Sequence, residues 1–274
     1  MRVDLHSHST CSDGLDRPAD LVRHMAYAGI ECLALTDHDT LKGLPEAREE
    51  ARKLGIELIS GVEISADFQG QDDIHILALF VDEENADLNA RLLERQENRR
   101  SRGERMAQKL GEAGFALDLD AIRAEVGDGV WGRPHLARGL VRAGHASSHD
   151  DAFARFLGRE HPWYVGSDKW PALDVLRAVR EAGGVTSVAH AVWYKDAENL
   201  IRSLASAGLD AVEVFHPDHG PEEEARFGNL ARELGLAATA GSDFHGTPEG
   251  RKHPGGVFGS GEMLGLLRTR VSRP

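Results

Sequence analysis

Residues 3–39 read VDLHSHSTCSDGLDRPADLVRHMAYAGIECLALTDHD. The short apolar run Val3–Leu5 predicts a strand. Asp20–Ala28 has helical character and is stopped by Gly29. A glycine there suits the left-handed residue that closes a helix. Cys32–Leu35 predicts a second strand. A strand–helix–strand unit of this length builds a parallel sheet with right-handed crossovers.

The rhythm continues outward. Pro45–Leu54 reads as a helix, and Ile56–Ile64 and Ile74–Val81 as strands three and four. It resumes with Leu173–Ala182 (helix), Val185–Ala189 (strand), Ala197–Ala207 (helix) and Ala211–Phe215 (strand). Pro221–Leu234 (helix) and Leu236–Ala240 (strand) complete it. Gly55, Gly183, Gly208 and Gly235 close the helices in turn. Seven such units fit a closed or nearly closed barrel better than an open doubly wound sheet, though pattern alone also permits the latter. The segment from about 82 to 170 breaks the rhythm. It reads as helices over Asn85–Ala113, Leu119–Val126, Arg133–Ala143 and Asp150–Leu157, with no strand alternation. The expectation is a barrel formed by residues 1–81 and 171–274, with 82–170 inserted as a helical cap over one mouth.

Histidines and carboxylates gather where the strands end. Strand one runs into His6, His8 and Asp13, strand two into His38, and strand three ends at Glu63. Strand four carries His75, strand five ends at His190, strand six at Glu213 and His216, and strand seven precedes Asp243 and His245. In parallel α/β architectures that edge holds the active site. A lone histidine at a strand end is ordinarily a surface or hydrogen-bonded core residue. His75 taken singly would be one, but the group falls on a single edge. His6, His8, Asp13, His38, Glu63, His75, His190, Asp243 and His245 are nine candidate metal ligands, too many for one ion. Imidazole with carboxylate and without cysteine suits Zn²⁺, Mn²⁺ or Fe²⁺ in a reactive site rather than a structural zinc site. A bridging Glu63 makes two or three ions the natural count. His24, His145, His149, His161 and His253 lie away from that edge.

The 274 residues carry 32 Lys+Arg against 45 Asp+Glu, a net charge of −13. That balance argues against duplex nucleic acid or anionic membrane as partners. No apolar run approaches the ~20 residues of a membrane helix, and the N-terminus shows no signal core. Two cysteines, Cys11 and Cys32, make no disulfide framework. The simplest expectation is a soluble cytoplasmic protein with reduced thiols.

The motifs Asp4-Leu5-His6-Ser7-His8-Ser9 with Ser12-Asp13-Gly14, Thr36-Asp37-His38-Asp39, Gly61-Val62-Glu63-Ile64 and Gly241-Ser242-Asp243-Phe244-His245 resemble the PHP (polymerase and histidinol phosphatase) superfamily. The likeness is greatest to its nucleotide phosphoesterase branch, which includes 3′,5′-nucleoside bisphosphate phosphatases and a 5′-to-3′ exoribonuclease acting on short RNAs. The resemblance implies an α/β fold, a distorted (β/α)7 PHP barrel with a helical insertion. It also implies a trinuclear site, commonly Mn²⁺, held by the nine ligands above. Glu213 and His216-Pro217 fit the pattern too. Where the branch has Ala-His-Pro, this chain has Ala189-His190-Ala191, keeping the ligand and losing the proline that stiffens the turn.

Residues 91–109 hold seven basic residues against three acidic, a local +4. Arg95, Arg99 and Arg102 share a helix face. Isolated, such a helix reads as a solvated face. Beside a multi-metal site, Arg99 and Arg102 read as phosphate ligands, since the guanidinium fork matches phosphate oxygens. Arg91, Arg95 and Arg105 read as surface residues. Asn98–Arg102 and Trp131–His135 resemble the branch segments that contact a second phosphate, which adds Arg133 and His135 to the substrate-binding set. His135 and His216 are the candidates for substrate contact or for protonating the leaving alkoxide.

The activity expected is metal-assisted hydrolysis of a phosphomonoester, most favourably the 3′-phosphate of a 3′,5′-bisphosphonucleoside. The rivals are stepwise 5′-to-3′ cleavage of short 5′-phosphorylated RNA, phosphatase action on another small monoester such as histidinol phosphate, and a non-enzymatic metal-binding module. The expected partner is thus a nucleotide or a short oligonucleotide.

Overall fold

The computed structural model describes residues 1–166, 170–246 and 252–271. The opening unit forms as read. It comprises β1 (Arg2–Asp4), α1 (Pro18–Tyr27) and β2 (Cys32–Leu35), with proline at the start of α1, where no amide hydrogen is needed. Next come α2 (Leu44–Leu54), β3 (Glu57–Phe68) and β4 (Gln71–Leu79). The second half supplies α7 (Ala172–Glu181), β5 (Val185–Val188), α8 (Ala197–Ser206), β6 (Ala211–Phe215), α9 (Pro221–Leu234) and β7 (Ala237–Ala240). Two further elements follow, a short strand β8 (Gly259–Ser260) and the helix α10 (Gly261–Val271).

The sheet order is β7-β6-β5-β4-β3-β2-β1-β8. Beyond the strand ends the sheet nearly closes. The Leu5 amide donates to Ala240 O (2.9 Å), Asp243 to His6 O (2.9 Å) and His8 to Phe244 O (3.0 Å). The architecture is therefore α/β, a mixed sheet of eight strands nearly closed as a barrel.

The strand directions differ from the expected parallel alternation. β3 and β4 form an antiparallel hairpin, with Glu63 opposite Leu77 and Ser65 opposite His75. β4 is antiparallel to β5 as well. Gln69 and Gly70, both with positive φ (49° and 85°), make the turn. Two left-handed residues are what a tight hairpin needs. The picture of every strand delivering its polar residue at its C-terminal end is thus corrected for β4. It runs the other way, and His75 reaches the shared edge from the middle of its strand.

Strand alternation sorts two cores. Val3, Leu5, Cys32, Ala34, Ile59, Leu77, Leu79 and Val185 point into the barrel, whose floor is sealed by Met263, Leu264 and Leu267 of α10. The alternate residues, such as Leu33, Leu35, Val62, Ile64 and Val212, pack against the outer helices. The upper barrel interior is left to polar side chains.

Between β4 and α7 lie α3 (Ala86–Glu112), α4 (Leu119–Val126), α5 (Arg133–Arg142) and α6 (His149–Ala152), the last running into a π-helical turn, Phe153–Leu157. Asn85 and Asp118 cap α3 and α4 by accepting the amides of Leu88 and Ala121 (both 2.9 Å). Leu88 and Leu92 of α3 join the barrel's outer core. Met106, Ala107 and Leu110 of the same helix join a separate core with Ile122, Trp131, Leu136 and Phe156. One long helix thus ties the two cores together. Among the described residues no helix is long and apolar enough to cross a membrane.

Candidate metal centre and active site

Seven backbone segments deliver polar side chains to the upper barrel. His6 and His8 follow β1, and their loop is held by Asp37, whose carboxylate accepts the Ser9 amide and both the Ser9 and Ser12 hydroxyls (2.6–2.7 Å). Glu63 projects inward from the middle of β3, on the same face as His75 of the partner strand. Gly241 lets β1 and β7 approach: a Cβ there would lie 2.2 Å from His6 Cβ. Asp39, His190 and Asp243 all have positive φ (51°, 31° and 49°). Such non-glycine strain costs about 1–3 kcal/mol each and persists where the surroundings over-determine it.

Glu63 is the hub. Its Oε2 lies 3.2 Å from His6 Nε2, 3.1 Å from His8 Nε2 and 3.2 Å from His38 Nδ1. Its Oε1 lies 2.7 Å from His75 Nδ1 and 3.0 Å from His190 Nε2. Asp243 Oδ1 sits 3.4 Å from both His6 Nε2 and His8 Nε2. Asp13 reaches His245 (3.4 Å) and His38 (3.6 Å). Four groups have ligating atoms within 4.8 Å of one another: His8–Asp13–His38–His245, His6–Glu63–His190, His6–His216–Asp243 and His38–Glu63–His75. All nine residues singled out by sequence fall in these groups, and His216 is a tenth.

These residues fit divalent ions. His6 Nε2, His8 Nε2, Asp13 Oδ1 and His38 Nδ1 are buried with no hydrogen-bond partner among the described residues. Ligand atoms about 2.1 Å from a shared ion stand about 3.0–3.4 Å apart at tetrahedral to octahedral angles. That is the separation found around Glu63 and Asp243. Metal-binding histidines ordinarily direct the other ring nitrogen to an acceptor. His6 Nδ1 meets Glu213 Oε1 at 3.1 Å, and the other Glu213 oxygen accepts the His190 amide (2.8 Å). His190 Nδ1 meets the Tyr194 hydroxyl at 3.2 Å, and that hydroxyl accepts the His75 amide (2.8 Å).

Electrostatics follow from burial opposed by these pairings. Burial alone would raise the Glu63 carboxyl, but His38, His75 and His6 hold it well below the ordinary range. Asp243 and Asp13 are likewise held low against burial by adjacent imidazoles. Burial would lower His8, yet Asp243 and Glu63 raise it to about 10. His190 is pushed down to about 4 by burial. Burial raises the Cys11 thiol to about 11 and Cys32 to about 12. Both cysteines are free thiols and neither is poised as a nucleophile.

A cavity of about 200 Å³ opens on the cluster, lined by Asp13, His38, Glu63, His75, His190, Asp243 and His245 and by Arg99, Arg102 and Arg133. Arg99 is fixed by Asp39 (2.5 Å) and the Ser65 hydroxyl (2.6 Å). Arg102 donates to Val165 O (2.7 Å). Arg95, expected at the surface, is instead 5 % exposed, because this face of α3 turns toward the barrel mouth. His135 does not line the cavity. It is buried, and its Nδ1 accepts the Gly132 amide (3.0 Å), capping α5. His216 is fully buried beside Asp243 (3.3 Å) and accepts the Asp218 amide (3.1 Å), so it also lies off the cavity. The turn after His190 closes without proline: Trp193 N–H donates to His190 O (3.1 Å) and Tyr194 N–H to Ala191 O (3.2 Å).

Sequence reasoning passed over Trp193, Tyr194 and Lys252. Trp193 stacks on His190 (4.0 Å between centroids), and Lys252 Nζ lies 3.1 Å from Asp218 and 3.4 Å from Asp243. The sequence signal was the Trp193-Tyr194 pair close behind His190.

A barrel with this imidazole–carboxylate cluster and arginine rim is that of a metal-dependent phosphoesterase. The PHP domain matches residues 4–121. The chain is 36 % identical over 249 residues to the 5′-3′ exoribonuclease of Haemophilus influenzae, covering 89 % of this chain and 90 % of that protein. It is 35 % identical over 259 residues to the 3′,5′-nucleoside bisphosphate phosphatase of Chromobacterium violaceum, covering 92 % and 90 %. A Bifidobacterium adolescentis structure assigned as a metal-dependent phosphoesterase superposes with a TM-score of 0.89 at 30 % identity, covering 98 % and 96 %. The chain belongs to the PHP family.

Proposed function

We propose that this phosphoesterase removes the 3′-phosphate of 3′,5′-bisphosphonucleosides. The observation that carries the reading is the junction of two spaces. The 200 Å³ cavity over the cluster, rimmed by Arg99, Arg102 and Arg133, continues into a cleft of about 610 Å³ through Asp13, Arg133 and Asp243. The first suits phosphoryl groups, and the second has the volume of an ordinary small-molecule site. The likeness to the bisphosphate phosphatase supports the same assignment.

In this reading His6, His8, Asp13, His38, Glu63, His75, His190, Asp243 and His245 hold three divalent ions, Mn²⁺ foremost, with Zn²⁺ or Fe²⁺ as alternatives. When bound, the ions supply Lewis acidity to the phosphoryl oxygens and make water acidic enough to attack near neutral pH. Glu213 and Tyr194 set the orientation of His6 and His190. His216 positions Asp243. Arg99 and Arg133 hold the second phosphate, and Arg102 completes the rim, with residues 82–170 acting as the cap that carries them. The compartment is the cytoplasm, where Cys11 and Cys32 stay reduced.

The second reading is 5′-to-3′ cleavage of short 5′-phosphorylated RNA. The cleft's continuation to Arg138 and Lys252 favours it, as does the likeness to an exoribonuclease. A phosphate-release panel with added Mn²⁺ separates the two. Fastest release from a 3′,5′-bisphosphonucleoside supports the first. Stepwise mononucleotide release from 5′-phosphorylated di- to pentanucleotides supports the second and overturns the first. An unchanged bisphosphate preference in Arg99→Ala removes the second-phosphate assignment.

A further inference from the structure

Trp193 is 52 % exposed, whereas Trp131 and Trp170 are buried (5 % and 4 %). An aromatic ring at the mouth of a polar site is the kind of lining that small-molecule sites use. Trp193 borders the cavity over the cluster, the 610 Å³ cleft and a third cleft of about 590 Å³ on the Gln69–Gln71 side. Its place is fixed: the ring stacks on His190 at 28°, and its amide closes the turn that follows. A tryptophan has two side-chain torsions, so little freedom remains to be lost on binding. Lys252 Nζ lies over the ring, 5.1 Å from its centroid, and Phe153 lines the first two of these three spaces.

We propose that Trp193 is the stacking platform for the nucleobase of the substrate, the base attached to the sugar whose phosphate reacts. This rests on the nucleotide reading above and adds the residue that recognises the base. An anionic phosphate is caught by the arginine rim, and the flat, apolar base is caught by the exposed indole. Lys252 sets a positive charge beside the sugar–phosphate chain. Every base has a π face, so a stacking platform selects for a base without choosing strongly among the four.

The experiment compares adenosine 3′,5′-bisphosphate with its base-free counterpart, 1-O-methylribose 3,5-bisphosphate. It uses wild type, Trp193→Ala and Trp193→Phe, each with Mn²⁺. The readout is the ratio of the two kcat/KM values, which cancels any effect of the substitution on His190. Wild type should favour the base-bearing substrate. Trp193→Ala should reduce that preference on the order of tenfold, mostly through KM, as loss of one base–aromatic stack requires. Trp193→Phe should restore most of it. The fluorescence of wild type, less that of Trp193→Phe, should be quenched by adenosine 5′-monophosphate and not by ribose 5-phosphate. If wild type prefers the nucleotide and Trp193→Ala keeps the full preference, the platform is wrong and the nucleotide reading stands. If wild type treats both substrates alike, the nucleotide reading fails and takes the platform with it.

Discussion

Glu63 shows what a single residue carries here. One carboxylate oxygen approaches three imidazoles and the other two more, at 2.7–3.2 Å. Glu213 acts one step out, through His6 Nδ1 and the His190 amide. Glu213→Gln should keep the fold and lower Mn²⁺ affinity about 10–100-fold, the usual cost of losing a partner behind a metal ligand. A Mn²⁺ titration of activity with metal analysis of the purified variant checks this, and unchanged affinity would sink the positioning role. His8 gives a pH prediction. With its pKa raised to about 10 by Asp243 and Glu63, it is protonated at pH 7 in the ion-free protein. A bound ion must displace that proton. Affinity for Mn²⁺ should therefore rise with pH from 6 to 8, and calorimetry in buffers of different ionisation heat should record proton release. At this scale the nine clustered residues were legible because their histidines and carboxylates stand in tight motifs at or near one edge of the predicted strands. Tyr194, Trp193 and Lys252 were not legible, because their contacts depend on the turn after His190 and on a distant segment folding back. His135 differs from them, since its contact is local. It stands in the right motif, but its Nδ1 is committed to capping α5.

At the scale of elements, apolar runs between helical stretches marked the first seven strands to within a few residues, and the inserted helices were marked to within about one. Strand direction is not written in such runs. Only the short gap between Glu63 and His75, too brief for a crossover helix, signalled the β3–β4 hairpin. The reversal has a functional result: it brings two site residues to one edge from neighbouring strands with no intervening helix. The C-terminal β8 and α10 carry weak periodicity, and their role is tertiary. Leu264 is 1 % exposed and seals the barrel floor at the end opposite the cluster. Leu264→Ala should destabilise the protein by about 2–5 kcal/mol, the range for a leucine cavity in a core. Turnover per folded molecule should hold. Denaturant unfolding with active-site-normalised kinetics tests both parts, and a large loss of kcat with normal stability would mean that the floor is coupled to the site.

Across the whole molecule, the net charge of −13 and the buried imidazole–carboxylate cluster combine into one argument about stability. An acidic surface repels nucleotide and nucleic acid alike, so in the proposed reading attraction comes from the site: bound ions together with Arg99, Arg102 and Arg133. That cluster exists only in the folded chain, because its residues come from seven segments spread between residues 6 and 245. Ions that bind the folded state and not the unfolded one stabilise by mass action, about 2.7 kcal/mol per site at a hundred times Kd. One kcal/mol moves Tm by roughly 2–4 °C in a chain near this size. A single Mn²⁺ site at that saturation should thus raise Tm by about 5–10 °C, and more if several fill. EDTA should reverse the rise, and His6→Ala should blunt it, since His6 belongs to two of the ligand groups. Monovalent salt at matched ionic strength should not reproduce it, because screening acts on exposed charges and the cluster is buried. Thermal melts across a Mn²⁺ series, with and without chelator, are the measurement. A Tm indifferent to both would mean that the cluster is a hydrogen-bonded core and not a metal centre, and the phosphoesterase chemistry would then have no source in this barrel.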